Sequence, residues 1–273
     1  MLTKKEISES LSLSCVESYF LAWLKRYYNV RNLYGNSFVS LGQVFDDFAH
    51  GATYQNYCYI PRLQDVAEEY GIVEHEFINC SAQNAIEIIK EQDENQLCMI
   101  RVNGAFFLGF KRSSWREDHY VCVDKELKWI NEYPLSEGEF EKEQFCKIFD
   151  GAVLKYSIKD KEIIPPDFST DGLKNQCFTM DDLPHSLRDM ESAIGVLRVT
   201  RKRLEKYYWE NVTICSVLRD ENRLLDKLYF DVHLRHLKEN AGEVIDRKKV
   251  YGELKEKLEF IIQAERRISE ILK

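Results

Sequence analysis

The chain has 273 residues, 44% of them apolar and 31% charged, which is typical of a globular protein with one large or two ordinary domains. No apolar run is long enough to cross a membrane and no apolar signal-peptide core follows the start, so we expect a cytoplasmic protein. The net charge of −8 arises within residues 1–160, which argues against nucleic acid as a ligand because phosphate binding needs basic surface. Eight scattered cysteines without CxxC spacing predict neither a disulfide framework nor a metal site.

The first half of the chain begins with helix signals. After Ser14 and Cys15, apolar residues recur at helical spacing, which predicts a helix over residues 16–28 with Ser14 or Ser12 as its N-cap. The apolar positions are Val16, Tyr19, Phe20, Trp23, Leu24 and Tyr27. Short helices are predicted at residues 63–70, ended by Gly71, and at residues 82–91.

Strand signals follow from residue 97. Residues 97–102 and 105–110 flank Asn103-Gly104, a dipeptide that favours a hairpin turn. The later elements predicted are a second hairpin of residues 119–124 and 127–133, a helix at residues 139–149 and a strand at residues 152–158.

The second half of the chain carries helix signals alone. Residues 161–180 contain Pro165, Pro166 and other turn formers, which predicts a linker. Three long segments with apolar stripes follow, at residues 185–209, 213–240 and 244–272, and they are typical of an antiparallel helical bundle. We therefore predict a domain at residues 1–160, a linker at 161–180 and a helical domain at 181–273. The apolar stripes of the helical domain could also support a homodimer.

One cysteine and one histidine are placed for nucleophilic chemistry. Cys15 stands at the predicted start of the first long helix, and a helix N-terminus lowers the pKa of a thiol. His119 opens a strand, and its imidazole can reach a helix N-terminus when the sheet packs on that helix. We predict that Cys15 is a nucleophile and His119 its base; the alternative is that both are structural residues.

A third polar residue is needed to hold the imidazole of His119. Asn131 lies on a strand face that is apolar until it reaches this residue. A strict two-residue turn at residues 125–126 would instead set Glu132 opposite His119. We favour Asn131 as the orienting residue and keep Glu132 as the alternative.

The order of these elements resembles two related groups of proteins. The cysteine at a helix start, followed by HYVCV at residues 119–123 and KWINEYP at residues 128–134, resembles the bacteriocin-processing (C39-like) papain-fold cysteine peptidases. The segment MIRVNGAFFLGFKRSSWREDHYVCV at residues 99–123 resembles the N-terminal domain of the butirosin-biosynthesis acyltransferase family. The likeness covers about residues 10–158 and implies an α+β, papain-like (C39 peptidase-like) domain followed by an all-α domain.

The resemblance also implies an activity. Members of the acyltransferase family move an acyl group from a carrier-protein thioester to an amine in specialised-metabolite biosynthesis. The expected partners are therefore an acyl or peptidyl carrier protein with a phosphopantetheine arm and a small-molecule amine, and the chain itself needs no metal or free cofactor. The alternatives are a cysteine peptidase or amidase with the same dyad, and a catalytically inactive binding domain.

The chain departs from the peptidase pattern at the oxyanion site. Those peptidases carry a glutamine six residues before the cysteine, whereas Glu9 stands at that position here. The backbone N–H of Cys15 and a nearby side chain such as Gln43 would then remain as oxyanion donors. The departure affects peptide hydrolysis more than thioester chemistry, because a thioester is already activated.

Two clusters in the helical half carry weaker signals. The basic residues Arg198, Arg201, Lys202, Arg203 and Lys206 predict a solvated helix face, with docking of an acidic carrier-protein helix as the alternative. His233 and His236 stand one helical turn apart, for which we favour a solvated face over a metal site.

Overall fold

The computed structural model describes residues 1–52, 62–103, 118–159 and 183–272. It contains two compact units: the sheet unit, Met1–Val30 with Arg62–Ile164, and the helical unit, Arg31–Pro61 with Pro165–Lys273. The described residues 31–52 thus cluster with the later helices, whereas the sequence prediction of a first domain at residues 1–160 includes them. The predicted linker at residues 161–180 and the predicted strand at residues 105–110 lie outside the described residues.

The sheet unit combines short helices with strands. Its helices are α1 (Lys4–Ser8), α2 (Cys15–Leu24), α5 (Leu63–Glu69), α6 (Ala82–Lys90) and α7 (Lys142–Ile148). Its strands are β1 (Val73–Asn79), β2 (Gln96–Asn103), β3 (Asp118–Val123), β4 (Lys128–Asn131), β5 (Ser136–Glu139) and β6 (Phe149–Ile158). The α+β class predicted from the sequence is therefore confirmed.

The strands form one antiparallel sheet in the order β1-β6-β2-β3-β4-β5. Alternate residues of β2 and β3, among them Ile100 and Val121, enter an apolar core that α6 and α7 complete on one face. Helix α2 packs on the opposite face, where the ring centroids of Phe20 and Tyr156 lie 5.1 Å apart. The sheet therefore brings the start of α2 close to β3.

Two strands escape sequence prediction for identifiable reasons. Strand β1 buries only Val73 fully, so it lacks the alternation of apolar and polar residues that marks a half-buried strand. Strand β5 takes up residues 136–139, and the helix predicted from residue 139 consequently begins later, at Lys142. Both strands lie at the sheet edges, where fewer side chains are covered.

The helical unit confirms the three long helices predicted from the sequence. It contains α3 (Arg31–Tyr34), a 3₁₀ turn (Gly35–Ser37), α4 (Leu41–Ala49), α8 (Leu187–Tyr207), α9 (Val212–Asn240) and α10 (Arg247–Ile271). Each long helix starts at a polar N-cap, Ser186, Asn211 or Asp246, whose side chain accepts a backbone N–H. Helices α3 and α4 pack on α8. Within the described ranges, no helix is long and apolar enough to cross a membrane.

The basic cluster of α8 is not the solvated face that the sequence predicts. Arg201 and Arg203 are fully buried, at 0% exposure. Arg198 and Lys202 both bind one carboxylate oxygen of Asp226, at 2.7 and 2.9 Å. Lys206 is exposed, as predicted. For Arg201 the prediction was wrong because α9 and α10 carry acidic residues that face α8, which the spacing of the basic residues alone does not reveal.

Arg201 forms a buried charge cluster with two glutamates. Its guanidinium binds Glu221 of α9, with Nε 3.1 Å from the carboxylate, and Glu265 of α10. Nη1 donates to the carbonyl of Val39 at 2.9 Å. The three charged side chains have 0% exposure, so one arginine links all three long helices to the segment before α4.

The paired histidines of α9 face a carboxylate rather than solvent alone. The Nδ1 atoms of His233 and His236 bind the two oxygens of Glu191 at 2.9 and 2.8 Å. Glu191 lies on α8, so these contacts join two helices. Among the described residues, no group of three His, Cys, Asp or Glu side chains is arranged to hold a metal ion.

Candidate active site

Cys15 is the first residue of α2, as the sequence predicts. Ser14 is its N-cap, and the Ser14 hydroxyl accepts the N–H of Glu17 at 3.2 Å. The Glu17 carboxylate is 3% exposed and accepts the N–H of Leu13 at 2.6 Å and that of Leu63 at 3.2 Å. The chain on both sides of the thiol is therefore fixed to the helix that carries it, which limits how far Cys15 can move.

His119 and Asn131 are joined by a short hydrogen bond. The distance from His119 Nε2 to Asn131 Oδ1 is 2.7 Å, and Asn131 is fully buried. The Asn131 amide nitrogen donates to the carbonyl of Pro134 at 2.9 Å, which turns Oδ1 toward the imidazole. Because Oδ1 only accepts, Nε2 carries the proton of the neutral ring, and the basic lone pair is on Nδ1.

The turn between β3 and β4 decides which residue faces His119. The turn is not the two-residue loop considered from sequence: the ladder pairs Val123 with Trp129 and Cys122 with Ile130. Leu127 adopts a left-handed φ of 58° and adds one residue to the loop. Adding a residue exchanges the faces of a strand, so Asn131 rather than Glu132 shares the face of His119.

The thiol of Cys15 lies beside β3, at the residue after His119. Burial is the largest influence on the thiol and raises the pKa of Cys15. The backbone N–H of Tyr120 opposes that rise, and the charge of Glu132 adds to it. Glu132 is partly buried, which raises its own pKa as well.

Burial also acts on the imidazole. It lowers the pKa of His119, and the bond from Asn131 offsets only part of that effect. A thiol with a raised pKa and an imidazole with a lowered pKa are both neutral at neutral pH. Both shifts thus favour the neutral thiol and the neutral imidazole over a thiolate and an imidazolium.

We expect the alkylation of Cys15 by iodoacetamide to increase with pH through an apparent pKa above the ordinary thiol value of about 8.5. The thiolate is the reacting species, and burial makes it scarce at neutral pH. Intact-mass kinetics from neutral to alkaline pH measure this, with Cys15→Ser to identify the site and Cys146→Ser, which removes an exposed cysteine, as the control. An apparent pKa well below that value would show a preformed ion pair instead.

The oxyanion residues considered from sequence have other partners. Glu9 caps the end of α1, and its carboxylate lies 3.9 Å from Lys5 Nζ. Gln43 belongs to α4 of the helical unit, and its side-chain amide donates to Asp47 at 2.8 Å. The oxyanion role of Gln43 stays a prediction, as do the catalytic roles of the other site residues.

Sequence reasoning did not single out Tyr19 and Glu17. Tyr19 belongs to the apolar stripe of α2 and is fully buried, but its hydroxyl also contacts β3 and the end of β4. The sequence signal for Tyr19 is a tyrosine, with its polar hydroxyl, in an apolar stripe four residues after Cys15. The signal for Glu17 is an acidic residue three positions after Ser14, the spacing of a helix capping pair.

Comparison of the whole chain with known protein families, with curated proteins and with solved structures finds no match.

Proposed function

We propose that this chain is a cysteine-dependent acyltransferase with a papain-like (C39-like) sheet unit, acting on carrier-protein thioesters in specialised-metabolite biosynthesis. The observation that carries the proposal is the 2.7 Å bond from His119 Nε2 to Asn131 Oδ1, next to Tyr120, the strand residue whose N–H lowers the pKa of the Cys15 thiol. Nucleophile, base and orienting amide are the three parts that nucleophilic acyl transfer needs. We place the reaction in the cytoplasm.

Two proton transfers complete the first half of the reaction. Cys15 Sγ adds to the thioester carbonyl while His119 Nδ1 takes the thiol proton, and the carbon–sulfur bond of the donor then breaks. The departing phosphopantetheine thiolate accepts the proton from the imidazolium, which leaves an acyl group on Cys15. A small-molecule amine then attacks that acyl group and loses its proton to His119, which releases an amide and restores the Cys15 thiolate for reprotonation.

The environment of Cys15 favours a thioester over a peptide as substrate. A peptide bond requires strong oxyanion stabilisation and protonation of a poor amine leaving group. The peptidase glutamine is replaced by Glu9, which lies near Lys5, and the pKa of the Cys15 thiol is raised by burial. A thioester needs less help because its leaving group departs as a thiolate.

A thioester adduct on Cys15 tests the proposal directly. We expect a small acyl-pantetheine thioester to add the mass of one acyl group to the wild type and to the Cys146→Ser variant, and no such mass to Cys15→Ser. An amine supplied afterwards should discharge the adduct and yield an amide. Cleavage of peptides without acylation by thioesters would support the peptidase alternative, and no reaction with either would support an inactive binding domain.

A further inference from the structure

The β3–β4 hairpin opens at the residues that flank the candidate site. Its ladder pairs Val123 with Trp129 and Cys122 with Ile130. Continued in the same register, the two strands set Tyr120 opposite Glu132. Bonding and non-bonding pairs alternate along an antiparallel ladder, and the turn closes with a bond from the Asp124 N–H to the Lys128 carbonyl. Tyr120 and Glu132 therefore occupy a position at which two strands would normally exchange both backbone hydrogen bonds.

The side chain of Tyr19 occupies that position instead. Its hydroxyl accepts the N–H of Glu132 at 2.9 Å and donates to the carbonyl of Tyr120 at 3.2 Å. One hydroxyl thus bridges the donor and the acceptor that would otherwise bond directly. Tyr19 is fully buried, so water does not compete for these two backbone groups.

The N–H of Tyr120 also acts on a side chain of α2, because it lowers the pKa of the Cys15 thiol. Cys15 and Tyr19 are four residues apart on one helix and so lie on the same face. The carbonyl of Tyr120 therefore accepts from Tyr19, and its N–H influences the thiol of Cys15, one helical turn earlier on α2.

We propose that Tyr19 is a positioning residue: its hydroxyl replaces one rung of the β3–β4 ladder, and this holds the Tyr120 N–H against the reacting sulfur of Cys15. The inference rests on the proposed function, because it gives this N–H a role at the nucleophile. In the absence of the hydroxyl, Glu132 can bond Tyr120 directly, and the strands close over the place that the thiol now occupies.

Tyr19→Phe removes the hydroxyl and keeps the ring. We expect the apparent pKa of Cys15 alkylation to rise by about one unit, the size of one hydrogen bond to a charged group. The control is Tyr27→Phe, just beyond the end of α2. It removes a hydroxyl that donates to the Glu94 carbonyl at 2.7 Å, and it should leave the pH profile of Cys15 alkylation unchanged. If Tyr19→Phe has the same pH profile of alkylation as the wild type, the inference is overturned. If His119→Ala has the same profile as the wild type, that result counts against the dyad itself.

A measurement on the wild type keeps the inference testable if Tyr19→Phe does not fold. Through-hydrogen-bond NMR coupling between the Glu132 amide nitrogen and the Tyr120 carbonyl carbon detects whether the Glu132 N–H donates to the Tyr120 carbonyl oxygen. We expect no such coupling, together with a slowly exchanging Tyr19 hydroxyl proton close to the Glu132 amide. A direct coupling between Glu132 and Tyr120 would show an intact rung and overturn the inference.

Discussion

Replacing Arg201 by methionine should destabilise the protein by about 3 to 5 kcal/mol, the cost of removing one partner from a buried ion pair. Arg201, Glu221 and Glu265 are all fully buried, so the variant leaves two carboxyls without their cation and leaves the Val39 carbonyl without this donor. Urea unfolding followed by far-UV circular dichroism measures the loss. The matched control is Arg198→Met, which breaks a half-exposed pair with Asp226 and should cost no more than about 1 kcal/mol.

The decrease in the free energy of unfolding caused by Arg201→Met should also become larger as the pH rises. Burial raises the pKa of Glu221 and, with less effect, that of Glu265, and the charge of Glu265 raises the pKa of Glu221 further. The folded-state pKa of these glutamates lies above their unfolded value of about 4.3. The stability that their protonated forms contribute is therefore fully present below that pH and is lost as the pH rises through the folded-state pKa. Without the charge of Arg201 to stabilise the carboxylates, more stability is lost over that pH range. A variant that unfolds at the same urea concentration as Arg198→Met, at neutral and at alkaline pH, would show that the cluster does not stabilise the fold.

Replacing Asn131 by leucine should slow the acylation of Cys15 by about 100-fold, the lower end of a general-base contribution. The variant keeps the size of the side chain but removes the acceptor of the His119 Nε2 proton, so the ring loses both its orientation and its tautomer preference. The bond from Asn131 also raises the pKa of His119, so its loss should move the acidic limb of the pH–rate profile to lower pH.

The Ser136 hydroxyl provides a matched control for Asn131. It donates to the same Pro134 carbonyl, at 2.9 Å, but does not contact the imidazole in the described structure. Ser136→Ala should therefore acylate at the wild-type rate. If Asn131→Leu also does so while His119→Ala is slow, then His119 acts as a base without needing this amide. Rates are compared from single-turnover acylation by an acyl-pantetheine thioester.

Local sequence signals were sufficient for the parts of the site that local structure controls. Ser14 as N-cap places Cys15 at the start of α2, and the apolar face of β4 identifies Asn131 as the odd polar residue on it. Helix α4 carried a comparable signal, with Ser40 as N-cap and apolar residues at helical spacing from Leu41, and was still not predicted. These features depend on residues within one or two turns of each other.

The features that escaped prediction depend on partners far away in the sequence. The buried state of Arg201 follows from Glu221 and Glu265, which lie 20 and 64 residues further along the chain. The role of the Tyr19 hydroxyl depends on backbone groups 101 and 113 residues away. A pattern of basic or aromatic residues on one helix cannot reveal which groups its neighbours present to it.

The left-handed Leu127 sets the length of the β3–β4 turn, and that length decides which side chain lies beside His119. The residue that meets His119 is chosen by the number of residues between β3 and β4, since one residue fewer would bring Glu132 to that face in place of Asn131. A carboxylate there would stabilise an imidazolium and favour a charged pair with the thiol, whereas the amide supports a neutral one. If the proposed function holds, deletion of one residue in this turn would exchange the amide beside His119 for a carboxylate while leaving every site side chain in the sequence.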